Sequence, residues 1–147
     1  MNGAYLHVLL NHFPIMGSLF GFCFLLLSTL NGNKTLKISA LIIFVVTGIL
    51  TIPTFLTGEP AEGVVENLAH VSKQLIYQHE EFAEKAVWFV YLTAALSATY
   101  LFLLQKNKKI PSWVNLLLYV FVILSLLSMG WTNKLGGKIS HSELRAP

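Results

Sequence analysis

The chain has 147 residues, which is enough for one domain and not for two. Apolar residues make up 54% of it and charged residues only 12%, about half the ~25% of an ordinary soluble domain. Together with a mean hydropathy of +0.64, this composition argues against a water-soluble enzyme, a nucleic-acid binder and a disordered tail. The one cysteine, Cys23, excludes an internal disulfide and a CxxCH haem attachment. A small integral membrane protein, with residues 1–147 as one domain, is the prediction.

Four apolar stretches of 18 to 21 residues stand out along the chain. Each is close to the ~20 residues that a helix needs to cross a hydrocarbon core of ~30 Å. They lack the polar face at a period of 3.6 residues that helices of a soluble core show. The predicted fold class is therefore all-α, a four-helix bundle embedded in the membrane. The predicted spans are 13–30, 36–56, 86–104 and 113–131.

The charged residues predict how these spans are oriented. The two short connections between paired spans, with the edge of the second span, carry five lysines and no acid: Lys34, Lys37, Lys106, Lys108 and Lys109. All seven glutamates lie on the other side. The positive-inside rule then predicts that the lysines face the cytoplasm. Both termini and the segment 57–85 are expected on the outer side of the membrane.

Three local features modify this picture. Residues 72–85 are good helix formers, so the third helix is expected to begin near Ser72 and to rise above the membrane as a collar. From there to Leu104 a helix of ~33 residues is ~50 Å long, well beyond the bilayer core. Pro53 is expected to kink the second helix or to end its regular part. Gly136 and Gly137 are expected to form a turn that lets the tail fold back.

Small residues within the spans are predicted to be helix–helix contacts. They are Gly17, Gly21, Ala40, Gly48, Ala94, Ala95, Ser97 and Ala98. Cys23, between two phenylalanines in the first span, is interpreted as an inert packing thiol. The acidic residues 59, 62 and 66 are interpreted as a solvated loop face.

The five histidines are the informative feature, because the predicted topology puts all of them on the outer side. They are His7 and His12 at the end of the first span, His70 in the outer loop, His79 on the collar and His141 beyond the fourth span. A neutral imidazole is the commonest metal ligand in proteins. Haem iron takes axial imidazoles, and a porphyrin fits between the helices of a bundle. A haem clamped by histidines from two helices is therefore the leading expectation.

The spacing of the histidines leaves the number of sites open. His7 and His12 are ~140° apart around a regular helix, so they do not share a face. Pro14 disfavours an unbroken helix here, so the two histidines either flank a kink or serve two sites. One haem or two haems are both compatible. Glu80 and Glu81 could hold a ligand ring in its tautomer. Four cations could pair with haem propionates: Lys73, Lys134, Lys138 and Arg145.

Four motifs occur in order along the chain: His7-Val-Leu-Leu-Asn-His12-Phe-Pro-Ile15, Thr57-Gly-Glu-Pro60, His79-Glu-Glu-Phe-Ala83 and Gly136-Gly-Lys-Ile-Ser-His141. Together they resemble a bacterial four-helix membrane family catalogued as domain of unknown function 2231, over essentially the whole chain. Some members of that family are joined to Rieske-type iron–sulfur domains. The resemblance implies redox work, with haem bound at His7, His12, His79 and His141. His70 matches no family position.

The leading functional hypothesis is a non-covalent, b-type haem protein that transfers electrons at the periplasmic face, like a cytochrome b. Its partner would be a periplasmic cytochrome, a Rieske-type protein or a membrane quinol. One alternative is direct binding of copper or zinc by the same histidines. Another is a structural or assembly subunit without a cofactor. An enzyme is less favoured, because the chain has no aspartate, no HExxH and no phosphate-binding glycine loop.

Overall fold

The computed structural model describes residues 3–67 and 71–140. All regular structure in this part of the chain is helical. The six helices are α1 (Gly3–Leu10), α2 (His12–Asn31), α3 (Lys34–Leu56), α4 (Gly58–Val65), α5 (Lys73–Gln105) and α6 (Ser112–Ser140).

Four helical stretches are long and apolar enough to cross a membrane, which confirms the all-helical, multi-pass prediction. Two of them join neighbouring helices, α1 with α2 and α3 with α4, and the other two are α5 and α6. The four predicted spans lie inside these stretches. Helix α5 has 33 residues, or ~50 Å at 1.5 Å per residue, so its first turns reach beyond a bilayer core of ~30 Å.

The helices form a closed bundle in which chain neighbours pack as antiparallel hairpins. Helix α2 packs on α3, α5 packs on α6, α3 joins the two hairpins through α5, and α2 also contacts α6. The main apolar core lies between them and contains Leu25, Ala40, Leu41, Phe44, Tyr100, Val114, Leu118 and Val122. The α2–α3 and α5–α6 connections lie at the same end of the bundle, because Lys37 near the start of α3 contacts Asn115 near the start of α6 and Tyr100 near the end of α5. This end is called the lysine-rich end below, and the opposite one the histidine end.

Side-chain caps explain where two of the helices begin. The Asn33 side chain accepts hydrogen bonds from the backbone of Thr35 and Leu36, at the start of α3. The Ser72 hydroxyl accepts one from the backbone of Leu75, and α5 begins at the next residue. Each cap satisfies backbone N–H groups that have no partner within the helix. The predicted helix start near Ser72 is confirmed.

Pro14 separates α1 from α2, as its sequence position predicted. Proline has no N–H to donate to the carbonyl of Leu10, and a turn at Asn11 divides the two helices. The Thr54 hydroxyl on α3 lies 3.2 Å from that carbonyl oxygen and 3.0 Å from the carbonyl oxygen of Leu50, and it shares its one proton between the two. The break in the first span is therefore tied to the end of the second. Helix α3 in turn continues past Pro53 for one further turn and ends at Leu56.

Three local expectations were wrong. Gly136 and Gly137 lie within α6, which runs unbroken to Ser140. Leu135 and Ile139 flank them and are buried on one face of this helix, and that packing keeps the segment helical. Glu59 and Glu62 lie not in a loop but in the short helix α4, which packs on α1 and α3, although Glu59 and Glu66 are exposed as a solvated face should be. Cys23 is exposed on the outside of the bundle rather than packed inside it.

Small residues bring the helices into close contact, as predicted for most of the set. A Cβ atom added at Gly48 of α3 would lie 2.5 Å from the Cβ atom of Ala94 on α5. Gly17 and Gly21 of α2 pack in the same way against Thr47 and Phe44 of α3. Ala95 and Ala98 are exposed instead, since they lie on the outer face of α5.

The contact between Gly48 and Ala94 predicts the effect of a one-methyl change. Gly48→Ala should lower the free energy of unfolding in detergent by about 1–3 kcal/mol, because two backbones must move apart to admit the methyl group. Thermal unfolding followed by circular dichroism measures this loss. Adding Ala94→Gly should restore part of the stability, since it removes the Cβ atom that the new methyl group would clash with. A Gly48→Ala variant as stable as the parent would contradict this close packing.

Candidate functional site

Two of the predicted ligands meet at the histidine end of the bundle. His7 comes from α1 and His79 from the first turns of α5, which rise above the apolar span 86–104. Their ring centroids are 6.3 Å apart, and the ring planes are nearly perpendicular, at 84°. Both side chains are partly buried. The short helices α1 and α4 pack on each other and on the bundle. This packing brings together two histidines that are distant in the sequence.

The His7 ring is held by the end of α3. Its Nδ1 atom lies 3.1 Å from the carbonyl oxygen of Thr54 and 3.2 Å from the hydroxyl oxygen of Thr57. A carbonyl oxygen can only accept, so Nδ1 carries the proton and donates it. The Nε2 atom then keeps its lone pair, which is the form in which imidazole binds a metal.

The His79 ring is held in the same way by α6. Its Nδ1 atom lies 3.0 Å from the carbonyl oxygen of Thr132 and donates to it. The ring also lies against Gly136, one turn later, where an added Cβ atom would be 3.1 Å from Cε1 of the ring. Glycine at this position is what leaves room for the imidazole. Nε2 of His79 is again the nitrogen with the lone pair.

Burial lowers the pKa of both histidines, which lie outside the predicted spans 13–30 and 86–104. For each ring, removal from solvent lowers the pKa and the hydrogen bond to a backbone carbonyl opposes this. The nearby His7 ring lowers the pKa of His79 further. Both rings are therefore neutral near pH 7. A pair of neutral imidazoles with fixed tautomers is suited to bind a metal ion.

Among the described histidines, none has its ring held by Glu80 or Glu81, contrary to the expectation. Successive residues of a helix point about 100° apart, and Thr132 supplies the carbonyl that orients His79 instead. Glu81 pairs with Lys85. The carboxyl of Glu80 is hydrogen-bonded to that of Glu62 on α4, and this contact, with burial and further carboxylates, raises the pKa of Glu80 to about 7.

The remaining predicted ligands do not join the pair within the described residues. His12 is exposed at the start of α2, and its Nδ1 atom donates to the carbonyl oxygen of Val8 at 2.8 Å. His141 and Arg145, predicted to bind the cofactor, lie outside the described residues, as does His70. His141 directly follows the last residue of α6, the helix that supports His79.

The described part of the chain offers two metal ligands here and not three. Within residues 3–67 and 71–140, no group of three histidine, cysteine or acidic side chains is arranged to hold a metal ion. A cavity of about 340 Å³ lies elsewhere, in an apolar groove between α2 and α3, and no histidine lines it. Of the lysines expected at haem propionates, Lys134 lies 4.8 Å over the ring of Trp131.

Sequence reasoning missed the groups that orient the two rings. Thr54 and Thr132 act through backbone carbonyls, so their side chains leave no signal in the sequence. Thr57 belongs to one of the four motifs, the Thr57-Gly-Glu-Pro60 stretch, and its contact with His7 gives that motif a structural reason. Gly136, in another of the motifs, packs on His79. Within the described ranges, each of the four motifs therefore contributes at least one residue that belongs to this site or contacts it.

Comparison with known proteins adds no assignment. No family model matches the sequence, and neither does any curated protein or solved structure.

Proposed function

We propose that this chain is a membrane electron carrier in which His7 and His79 are the two axial ligands of a b-type haem. The observation that supports this most directly is the meeting of two imidazoles from separate helices, each with its Nδ1 proton on a backbone carbonyl. Axial histidines need this arrangement, because the carbonyl leaves Nε2 as the ligating nitrogen and fixes the ring plane.

The separation and the number of ligands fit haem iron. Two imidazoles on opposite sides of one metal, each bound at ~2 Å, have ring centres ~6 Å apart, and these are 6.3 Å apart. A zinc site in a protein takes three or four protein ligands, whereas haem iron needs two, since the porphyrin supplies the others. The two imidazoles among the described residues therefore favour haem over a bare ion.

The protein's own part in electron transfer follows from this ligation. When bound, haem would supply the one-electron redox chemistry, and ligation by both histidines would disfavour reaction of the iron with oxygen. His7 and His79 would hold the iron, while Thr54 at the end of α3 and Thr132 on α6 keep the rings from turning. This favours transfer of an electron without rearrangement of the ligands. The resemblance of the four motifs to a family with Rieske-linked members agrees with this role and stays a prediction.

The location and partners are part of the proposal. The lysines of the two short connections lie at one end of the bundle and the histidine pair at the other. By the positive-inside rule, the histidine end and both termini face the periplasm of a bacterial inner membrane. A periplasmic cytochrome or Rieske-type protein could then approach the haem from the aqueous side, and a quinol from the bilayer.

The absorption spectrum of the full-length protein, purified in detergent, tests the cofactor. We expect a Soret band, sharp α and β bands on reduction, and about one haem per chain in a pyridine haemochrome assay. Metal analysis of the same sample covers the alternatives. Copper or zinc in equal amount to the chain, with no Soret band, would replace haem by the histidine-bound metal ion. A sample with neither would overturn metal binding and favour the cofactor-free structural subunit.

A further inference from the structure

Among the described residues, the lysine-rich end of the bundle carries five lysines and no acid. Four of them are exposed: Lys34 at the first residue of α3, and Lys106, Lys108 and Lys109 on the α5–α6 connection. The fifth, Lys37, is partly buried in the first turns of α3. The nearest glutamates in the sequence are Glu59 and Glu84, each of which lies toward the histidine end of its helical stretch. This end therefore has an uncompensated positive charge.

Lys37 differs from the other four because side chains from two other helices hold its ammonium group in place. Its Nζ atom donates to Oδ1 of Asn115 on α6 at 2.8 Å. It also lies 5.2 Å from the ring centroid of Tyr100 on α5. The Tyr100 hydroxyl donates to the same Oδ1 atom at 3.1 Å, and Tyr100 is only 5% exposed. The cation is thus positioned by an amide oxygen and an aromatic ring.

The partners of Lys37 leave its charge unbalanced. Asn115 and Tyr100 are both neutral, and an ammonium group has three N–H donors, of which the amide takes one. Within the described residues, the ion pair between Lys85 and Glu81 is far along α5 from here, and no carboxylate approaches Lys37. A cation that is partly removed from water and has spare donors is suited to an anion with several acceptor oxygens, such as a phosphate.

The position of Lys37 indicates where that phosphate comes from. Lys37 lies at the edge of the apolar span 36–56, where a membrane-spanning helix passes the lipid headgroups. Trp113, at the matching edge of α6, is 59% exposed, as is typical of the aromatic belt at headgroup depth. The four exposed lysines add attraction toward anionic lipids, which decays within a Debye length.

We propose that the lysine-rich end binds an anionic phospholipid, with Lys37 in contact with the headgroup phosphate and the four exposed lysines attracting it. The site is independent of the histidine pair. It would fix the depth of the bundle in the membrane and give it a preference among lipids.

Native mass spectrometry of the full chain in detergent, titrated with phosphatidylglycerol or phosphatidylcholine, tests this site. We expect retained phosphatidylglycerol adducts on the parent protein and about fivefold weaker retention on Lys37→Met, from one lysine–lipid contact. Lys37→Arg should retain most of the binding. Lys108→Met is the matched control, since it removes the same charge from an exposed connection. Its retention of phosphatidylglycerol should fall by less than half as much as that of Lys37→Met.

Three outcomes would overturn the proposal. Equal losses for Lys37→Met and Lys108→Met would mean diffuse attraction without a site. Equal retention of the two lipids by the parent protein would mean no anion is recognised. Inorganic phosphate competing fully with phosphatidylglycerol would mean a site for free phosphate and not for lipid. Thermal unfolding of Lys37→Met in neutral detergent checks that the variant is folded.

Discussion

Replacing either His7 or His79 by alanine is expected to abolish haem binding, while His12→Ala retains it. Under the proposed function, each imidazole of the pair would supply one bond to the haem iron. The tautomers set by the carbonyls of Thr54 and Thr132 cannot be reproduced by a neighbouring side chain. We expect at least ~100-fold weaker haem binding. Loss of a group that only orients a ligand costs about 10- to 100-fold in affinity, and loss of the ligand itself should cost more. The haem-to-chain ratio in a pyridine haemochrome assay measures the effect.

His12→Ala is the matched control because it removes the same ring from an exposed position at the start of α2. Circular dichroism and size-exclusion profiles show whether each variant is folded. Added imidazole should restore the spectrum of His79→Ala in part, since a free ligand can enter the space left by the ring. If His12→Ala loses as much haem as His79→Ala, the pairing of His7 with His79 is wrong. If all three variants keep their haem, axial ligation by these residues is excluded.

Gly136→Ala is expected to weaken cofactor binding about tenfold without touching any ligand. The added methyl group would lie 3.1 Å from Cε1 of His79 and 3.4 Å from Nδ1. The ring cannot retreat without stretching its hydrogen bond to Thr132, so the imidazole must rotate or shift. A changed position of the reduced α band, together with faster haem loss to an acceptor protein, measures the effect.

Gly130→Ala is the control for this variant, since a Cβ atom there meets open space in the same helix. Both changes replace glycine by the better helix former, which favours α6 by up to ~1 kcal/mol per residue. Loss of helix stability therefore cannot explain a weakening of cofactor binding that is confined to Gly136→Ala. A Gly136→Ala variant with the spectrum and haem retention of the parent would show that His79 does not need this space.

Local sequence signals predicted much of the fold correctly. The start of α5 after Ser72 follows from a hydroxyl that accepts from the backbone of Leu75, and the break before α2 follows from Pro14. Both are effects within one or two turns, where the responsible residue and its consequence are neighbours. The turn at Gly136 and Gly137 was wrong because packing of the surrounding residues outweighed the low helix propensity of glycine.

The candidate site was predictable as a set of residue types and not as a geometry. Histidines at the ends of apolar spans indicated a shared location, yet nothing in their spacing told which two would meet. That depends on the angle of each residue around its helix and on which helices are neighbours. His12 shows the difference, since it is close to His7 in sequence but its ring bonds back to Val8 on the outside.

Composition and charge by themselves predicted four apolar helices long enough to cross a membrane, and they predicted that the lysines of the short connections lie at the end opposite His7 and His79. These properties depend on the transfer of whole segments into hydrocarbon, which is a sum over residues and needs no knowledge of contacts. Only the tertiary structure decided that His7 meets His79, that backbone carbonyls orient both rings, and that Asn115 and Tyr100 hold Lys37. Such contacts join atoms on different helices, and their distances exist only once the helices have packed.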